Sequence, residues 1–160
     1  MNPETLKKAL AAIGDRTPLL TDCGCKCGAA CCRPDEDGQG GVYLFPGEAE
    51  LHGEMEWGCI EADEFAPMLV CDGMCDRDRR PLACRIFPLT PVRNDEGKWT
   101  VRMDIRAQHV CPLTDYGRRG LDPEFVRGVI KAMRIIAKDP DGLAFLERWE
   151  ALEKSYHLHL

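Results

Sequence analysis

Residues 21–34 read Thr-Asp-Cys-Gly-Cys-Lys-Cys-Gly-Ala-Ala-Cys-Cys-Arg-Pro, with five cysteines between Cys23 and Cys32. Small residues between the cysteines let the backbone curl closely around an ion without steric conflict. The stretch therefore reads as a loop shaped by its ligands. Cys59, Cys71, Cys75, Cys84 and Cys111 bring the total to ten in 160 residues. In an exported chain that density indicates a disulfide scaffold, whereas in a reducing cytosol it more often indicates bound metal. The first residues, Met-Asn-Pro-Glu-Thr-Leu-Lys-Lys, contain no apolar stretch before a small-residue cleavage site, and nowhere do about 18 apolar residues run together. The expectation is a cytoplasmic chain that neither crosses a membrane nor uses its thiols as disulfides.

Spacing narrows the ligand set. Cys27 and Cys31, like Cys71 and Cys75, have three residues between them, within the range of paired zinc ligands. Two such pairs, distant in sequence, could close one tetrahedral site and staple the N-terminal loop to a central hairpin, adding about 10–16 kcal/mol in favourable zinc modules. Iron-sulfur chemistry asks for the same soft thiolates, and Cys111-Pro112 matches the Cys-Pro that ends the ferredoxin run. Adjacent Cys31 and Cys32 would point to opposite faces of a strand, so both serve one centre only if the chain turns there. A four-thiolate centre carries a net charge of about −2, for which Arg80 and Arg85, flanking Cys84, are candidate donors; two solvated arginines are the alternative.

Other groups are weaker candidates. His109 precedes Cys111 by two residues and could supply a nitrogen ligand, but reads first as an ordinary strand-end histidine. His52, His157 and His159 read as solvated. The Glu-rich run Glu48–Glu64 could supply a general base but reads as a solvated face. No nucleophile elbow, phosphate loop, dinucleotide glycine fingerprint or His-Glu-x2-His helix is present. A net charge of −6 argues against nucleic acid as a partner. Residues 33–64 carry ten acids and one base, while 76–119 carry ten bases and six acids. These two segments are expected to pack together and neutralise one another, an anion-binding face being the alternative.

The length fits one domain over residues 1–160, and 44% apolar with 30% charged residues is ordinary globular usage. Leu6, Ala9, Leu10 and Ile13 make a helical stripe over 2–13, stopped by Gly14. Val42–Phe45 is a short apolar run after a solvated connection at 35–41. Met68–Cys71 reads as a strand followed by an Asp72-Gly73 turn, and Lys98–Arg106 as a half-buried strand paired with the segment before Asn94. Asp122-Pro123 starts a helix bearing Phe125, Val126, Val129, Ile130, Met133 and Ile136; Asp139-Pro140 stops it and starts another. The expected architecture is α+β: a small sheet of short strands and cysteine-rich loops (about 21–112), framed by an N-terminal helix and a helical C-terminal part (about 121–156).

Cys25-Lys-Cys-Gly-Ala-Ala-Cys-Cys32, with Arg80-Pro-Leu-Ala-Cys-Arg-Ile-Phe-Pro88 and the cysteine upstream of it, resembles the YkgJ-type cysteine-cluster family of zinc- or iron-chelating domains. The likeness covers roughly the middle half of the chain. It implies Cys27, Cys31, Cys32, Cys75, Cys84 and Cys111 as metal ligands for zinc or iron, with a 4Fe-4S cluster included. It departs from the family's Cys-x2-Cys-x2-Cys-Cys spacing in its compressed first cluster and in the added Cys23. The resemblance implies a cofactor rather than a reaction. The expected function is metal binding through thiolates; an iron-sulfur redox component and an interaction module with structural zinc are the alternatives.

Overall fold

Asn2 starts the chain's first helix: its side-chain oxygen accepts from the Glu4 N–H at 2.9 Å, Pro3 fills the first helical position, and Gly14 (φ 60°) closes it. In this computed structural model, which describes residues 1–32, 40–71, 75 and 77–158, α1 (Pro3–Ile13) precedes α2 (Gly24–Cys27) and a 3₁₀ turn at Ala30–Cys32. There follow β1 (Val42–Tyr43), α3 (Glu48–His52), β2 (Gly58–Glu61), β3 (Met68–Cys71), a 3₁₀ turn at Arg77–Arg79 and α4 (Leu82–Ile86). Next come β4 (Leu89–Arg93), β5 (Trp99–Met103), three 3₁₀ turns within 105–120, α5 (Pro123–Ile136) and α6 (Pro140–Leu158). One antiparallel sheet has the order β1-β3-β2, and β4 pairs with β5 in a hairpin. The fold is α+β with helices at both ends, as the residue pattern predicts. The expected Asp72-Gly73 turn and most of the 35–41 connection lie outside the described residues.

Three local expectations change. The cysteine-rich stretch is not loop throughout, because Asp22 Oδ1 accepts from the Gly24 N–H at 3.1 Å and nucleates the helical turn α2. The last strand stops at Met103 rather than Arg106, since the Asp104 carboxylate accepts from the Arg106 N–H at 2.9 Å and turns the chain into a 3₁₀ helix at Ile105–His109. The Glu-rich segment contains α3 and β2 rather than a continuous solvated face.

The core joins the ends of the chain. Leu6, Ala9 and Ile13 of α1 are buried with Phe125, Val129, Met133 and Ile136 of α5. A Cβ added at Gly128 would lie 2.9 Å from the Ala12 carbonyl oxygen, so here the helices approach backbone to backbone. Phe45, Phe145 and Trp149 form an aromatic group, with the Phe45 and Phe145 rings 4.7 Å apart, and Trp149 Nε1 donates to Thr90 Oγ1 at 2.9 Å. Arg93 donates to Glu150 through Nε and Nη2 at 3.0 and 2.7 Å, and Arg102 donates to Glu153 at 2.8 Å. Both glutamates are buried. The central basic segment thus finds carboxylates on α6, which packs on β4. It meets the acidic segment through Arg79, which donates to the carbonyls of His52 and Glu54. Among the described residues no helix is long and apolar enough to cross a membrane.

Gly128→Val should overpack the α1–α5 contact and lower stability by about 1–3 kcal/mol, read as a lower urea midpoint with an unchanged slope. A wild-type midpoint would show that the contact tolerates a side chain.

Candidate metal centre

Helical geometry sorts the first cysteines. Cys23 and Cys27 are four residues apart, so on one helical turn their side chains diverge by only about 40°, while Cys25 points to the opposite side. Cys27 Sγ lies 3.7 Å from the Cys23 carbonyl oxygen, and Cys25 is exposed. Gly28 (φ 63°) and Ala29 (φ 55°) then take left-handed conformations in succession, the second at roughly 1–2 kcal/mol for a residue with a Cβ. This turn carries the chain into Ala30–Cys32, where the Cys31 and Cys32 sulfurs stand 4.0 Å apart. The condition for both to serve one region, that the chain turn at this point, is met.

Strand register sorts the next pair. Gly58 faces Cys71 across the sheet and Cys59 faces Val70, so Cys59 projects from the face opposite to Cys71. Cys59 is exposed, with Sγ 3.8 Å from Glu61 Oε1. Cys84 rides on α4, seated in the core by Leu82, Ala83 and Ile86. Glu48 holds the start of α4: Oε1 accepts from the Leu82 N–H at 2.6 Å and Oε2 from the Phe45 N–H at 3.0 Å. Glu48 is 2% exposed, which corrects its reading as part of a solvated run. Burial pushes its carboxyl up to about 7, against the two N–H bonds and Arg85. His52 is likewise buried rather than solvated. Among the described residues its Nε2 has no hydrogen-bond partner, and burial, then Arg79, lowers its pKa. Cys111 precedes a 3₁₀ helix begun by Pro112.

Charge shows which thiols are neighbours. Burial raises the Cys23 thiol, and Asp22, Cys27 and Cys111 raise it further. Burial also raises Cys111, with Cys27 adding to the effect and the backbone N–H groups of Leu113 and Thr114 opposing it. Hydrogen bonding between Cys31 and Cys32 raises the first and, with Arg80 helping against burial, lowers the second to about 6. Cys31 also feels Cys84 and Cys23. Burial raises Cys84, and Cys32, Cys71 and Cys75 act in the same direction. The Arg80 guanidinium, partly desolvated, donates to the Cys75 sulfur and faces Cys32 and Cys84.

All six sequence-predicted ligands, Cys27, Cys31, Cys32, Cys75, Cys84 and Cys111, thus have other cysteines or Arg80 as neighbours, and Cys23 and Cys71 join them. The i,i+4 spacing of Cys23 and Cys27 is the signal that points to the first, while Cys71 is one of the spaced pair Cys71-x3-Cys75 that the sequence already marks. Cys25 and Cys59 fall outside. None of the ten is disulfide-bonded. Among the described residues, no three His, Cys, Asp or Glu side chains are arranged to hold one ion as they stand. Arg80 faces the thiols, while Arg85 donates to the carbonyls of Arg80, Gly14 and Asp78. His109 is exposed at the end of a 3₁₀ helix, not of a strand. The side chain of His157 and residue His159 lie outside the described set. A depression of about 520 Å3 along α5, lined by Arg127, Ile130, Lys131, Arg134, Ile135 and Lys138, contains no cysteine.

The Glu48 carboxyl titrates near 7 when folded against an ordinary 4.5, so the folded chain holds a proton that the unfolded chain has released between these values. Stability tied to Glu48 is complete below about pH 4.5 and is lost as pH rises through about 7. Urea midpoints of the reduced, metal-free chain should show this decline, and Glu48→Gln should flatten it; an identical decline in the variant would assign it to other groups. Against protein-family models, curated proteins and solved structures, the chain has no match.

Proposed function

We propose that this chain is a metal-binding protein that coordinates zinc or iron, the latter as an ion or an iron-sulfur cluster, through cysteine thiolates. The observation that supports this reading is that eight thiols, from α2, the Ala30–Cys32 turn, β3, Cys75, α4 and Cys111, are linked by charge to one another and several of them to Arg80. Burial and mutual repulsion favour the protonated thiol at Cys23, Cys84 and Cys111, and a cation among them would favour the thiolate form instead. A divalent ion or a cluster does so, and Arg80 balances the remaining negative charge.

The donor set fits such a group. It is all sulfur, which suits zinc and iron-sulfur centres over magnesium or calcium. The residues that would hold the metal are drawn from Cys23, Cys27, Cys31, Cys32, Cys71, Cys75, Cys84 and Cys111. A bound metal would supply cross-links between segments distant in sequence, and redox capacity if it is iron-sulfur. Binding would require the ligating side chains to rearrange, since among the described residues no three of them are arranged around one point as they stand. A reducing compartment, the cytoplasm, is the setting in which these thiols remain available. The Cys31-Cys32 and Arg80–Pro88 motifs point the same way.

Anaerobic purification from unsupplemented medium, followed by elemental analysis and a visible spectrum, tests the proposal. Zinc or iron should accompany the protein, sulfur-to-iron absorbance should appear only in the second case, and chelation should lower Tm by about 10 °C or more. A folded protein free of both metals, with a Tm indifferent to added zinc or iron, would sink the idea.

A further inference from the structure

Arg127, Lys131 and Arg134 fall at i, i+4 and i+7 along α5, within an arc of about 60° on its outer side. Lys138 extends the row just past the helix's last residue, and all four residues are exposed. Arg127 pairs with Glu124, and Arg134 donates through Nε to the Trp99 carbonyl; Lys131 and Lys138 form no ion pair among the described residues. Like charges three and four residues apart oppose helix formation, so the row does nothing for α5 itself. Ile130 and Ile135, half-buried, lie on either side of it and line the same depression of about 520 Å3. The depression is an apolar floor edged by four cations, with no carboxylate in its lining.

Charge of the opposite sign is left over elsewhere. Arg93 and Arg102 bind glutamates of α6, and Arg79 reaches backbone carbonyls, so these arginines do not neutralise the acidic side chains of the 48–64 segment. Glu50, Glu54 and Glu56 are exposed and form no ion pair among the described residues. Leu51 of α3, set between the first two, is 49% exposed. An aliphatic side chain between carboxylates complements an apolar floor between cations in both polarity and sign. A nucleic acid would leave Ile130 and Ile135 without apolar partners and finds no aromatic ring in this lining on which to stack a base.

We propose that the α5 depression docks the 50–56 segment of a second copy of this chain, with Leu51 against Ile130 and Ile135 and the glutamates against Lys131, Arg134 and Lys138. The two patches differ, so the contact is head-to-tail, and association runs on beyond two copies or closes into a ring. Few residues and solvent-exposed ion pairs make the contact weak, and salt screens it. No thiol takes part, so the inference stands apart from metal binding.

Light scattering of the reduced protein tests it, the reductant excluding cross-chain disulfides. At about 20 mM salt the wild type's mean mass should rise with concentration beyond twice that of one chain, and at about 500 mM it should return to that of one chain. Lys131→Glu/Lys138→Glu and Glu50→Gln/Leu51→Ala/Glu54→Gln should each stay monomeric, with circular dichroism confirming their fold. Mixed in equal amounts, the two variants should form a 1:1 dimer and nothing larger, because each retains the patch that the other lacks. A wild type that stays monomeric at about 1 mM in low salt, association undiminished in either variant, or a mixture that stays monomeric would overturn the proposal. A monomeric wild type that instead binds anionic vesicles or duplex DNA, with binding lost in Lys131→Glu/Lys138→Glu, would give the face to another occupant and overturn it equally.

Discussion

One buried carboxylate ties together two parts of the chain that also meet in the core. Glu48 accepts from the backbone of Phe45 with one oxygen and of Leu82 with the other, so the segment leaving β1 and the first turn of α4 are placed by the same side chain. Both N–H groups are away from water and would each forfeit about 1–3 kcal/mol if left unpaired. Arg85, one turn further along, extends the tie by donating to the carbonyls of Gly14, Asp78 and Arg80. The end of α1, the approach to α4 and the sheet are thereby fixed around Cys84 by polar contacts, not by apolar packing alone.

The remaining thiol-bearing segments have less holding them. The turns on either side of Gly28 bury no side chain, and Ala29 adopts a conformation unfavourable for an L-residue. Ordering such segments opposes folding by about 1–2 kcal/mol per residue, which short turns without a core do not recover by themselves. A ligand bridging them to β3 and α4 would supply the missing term. On this view the fold is a rigid frame, built by α1, α5, α6 and the β4–β5 hairpin, that presents a softer sulfur-rich side.

The frame was legible in the sequence because its signals are local and periodic. Asn2 and Gly14 bracket α1, Asp122-Pro123 and Asp139-Pro140 mark the last two helices, and Trp99, Val101 and Met103 alternate along β5. The middle was harder. Glu48 sits in a run of acids whose composition indicates solvent, and only tertiary placement against Leu82 makes it a buried acceptor. Among the cysteines, Cys23 stands in front of the resembled motif and is surplus to a single four-coordinate centre, so the sequence offers no reason to group it with Cys27; the Asp22 bond to Gly24 that turns the stretch helical is what aligns the two. Cys71 was identified by spacing, yet its separation from Cys59 depends on strand register, which no pattern in the short β2 specifies. The partners of Arg93 and Arg102 lay on a distant helix and could not be chosen over the nearer acidic segment from charge counts.

The two outlying thiols have a practical consequence. Cys25 lies on the same short turn as Cys23 and Cys27 yet faces away from them, and Cys59 looks out from the far side of the sheet that carries Cys71. Each sits within two residues or one strand of the sulfur neighbourhood without belonging to it. An alkylating reagent therefore finds in this chain its own internal standard: two sulfurs whose modification records reagent access, against which exposed Cys31 and the seven half-buried thiols can be scored in a single mass spectrum.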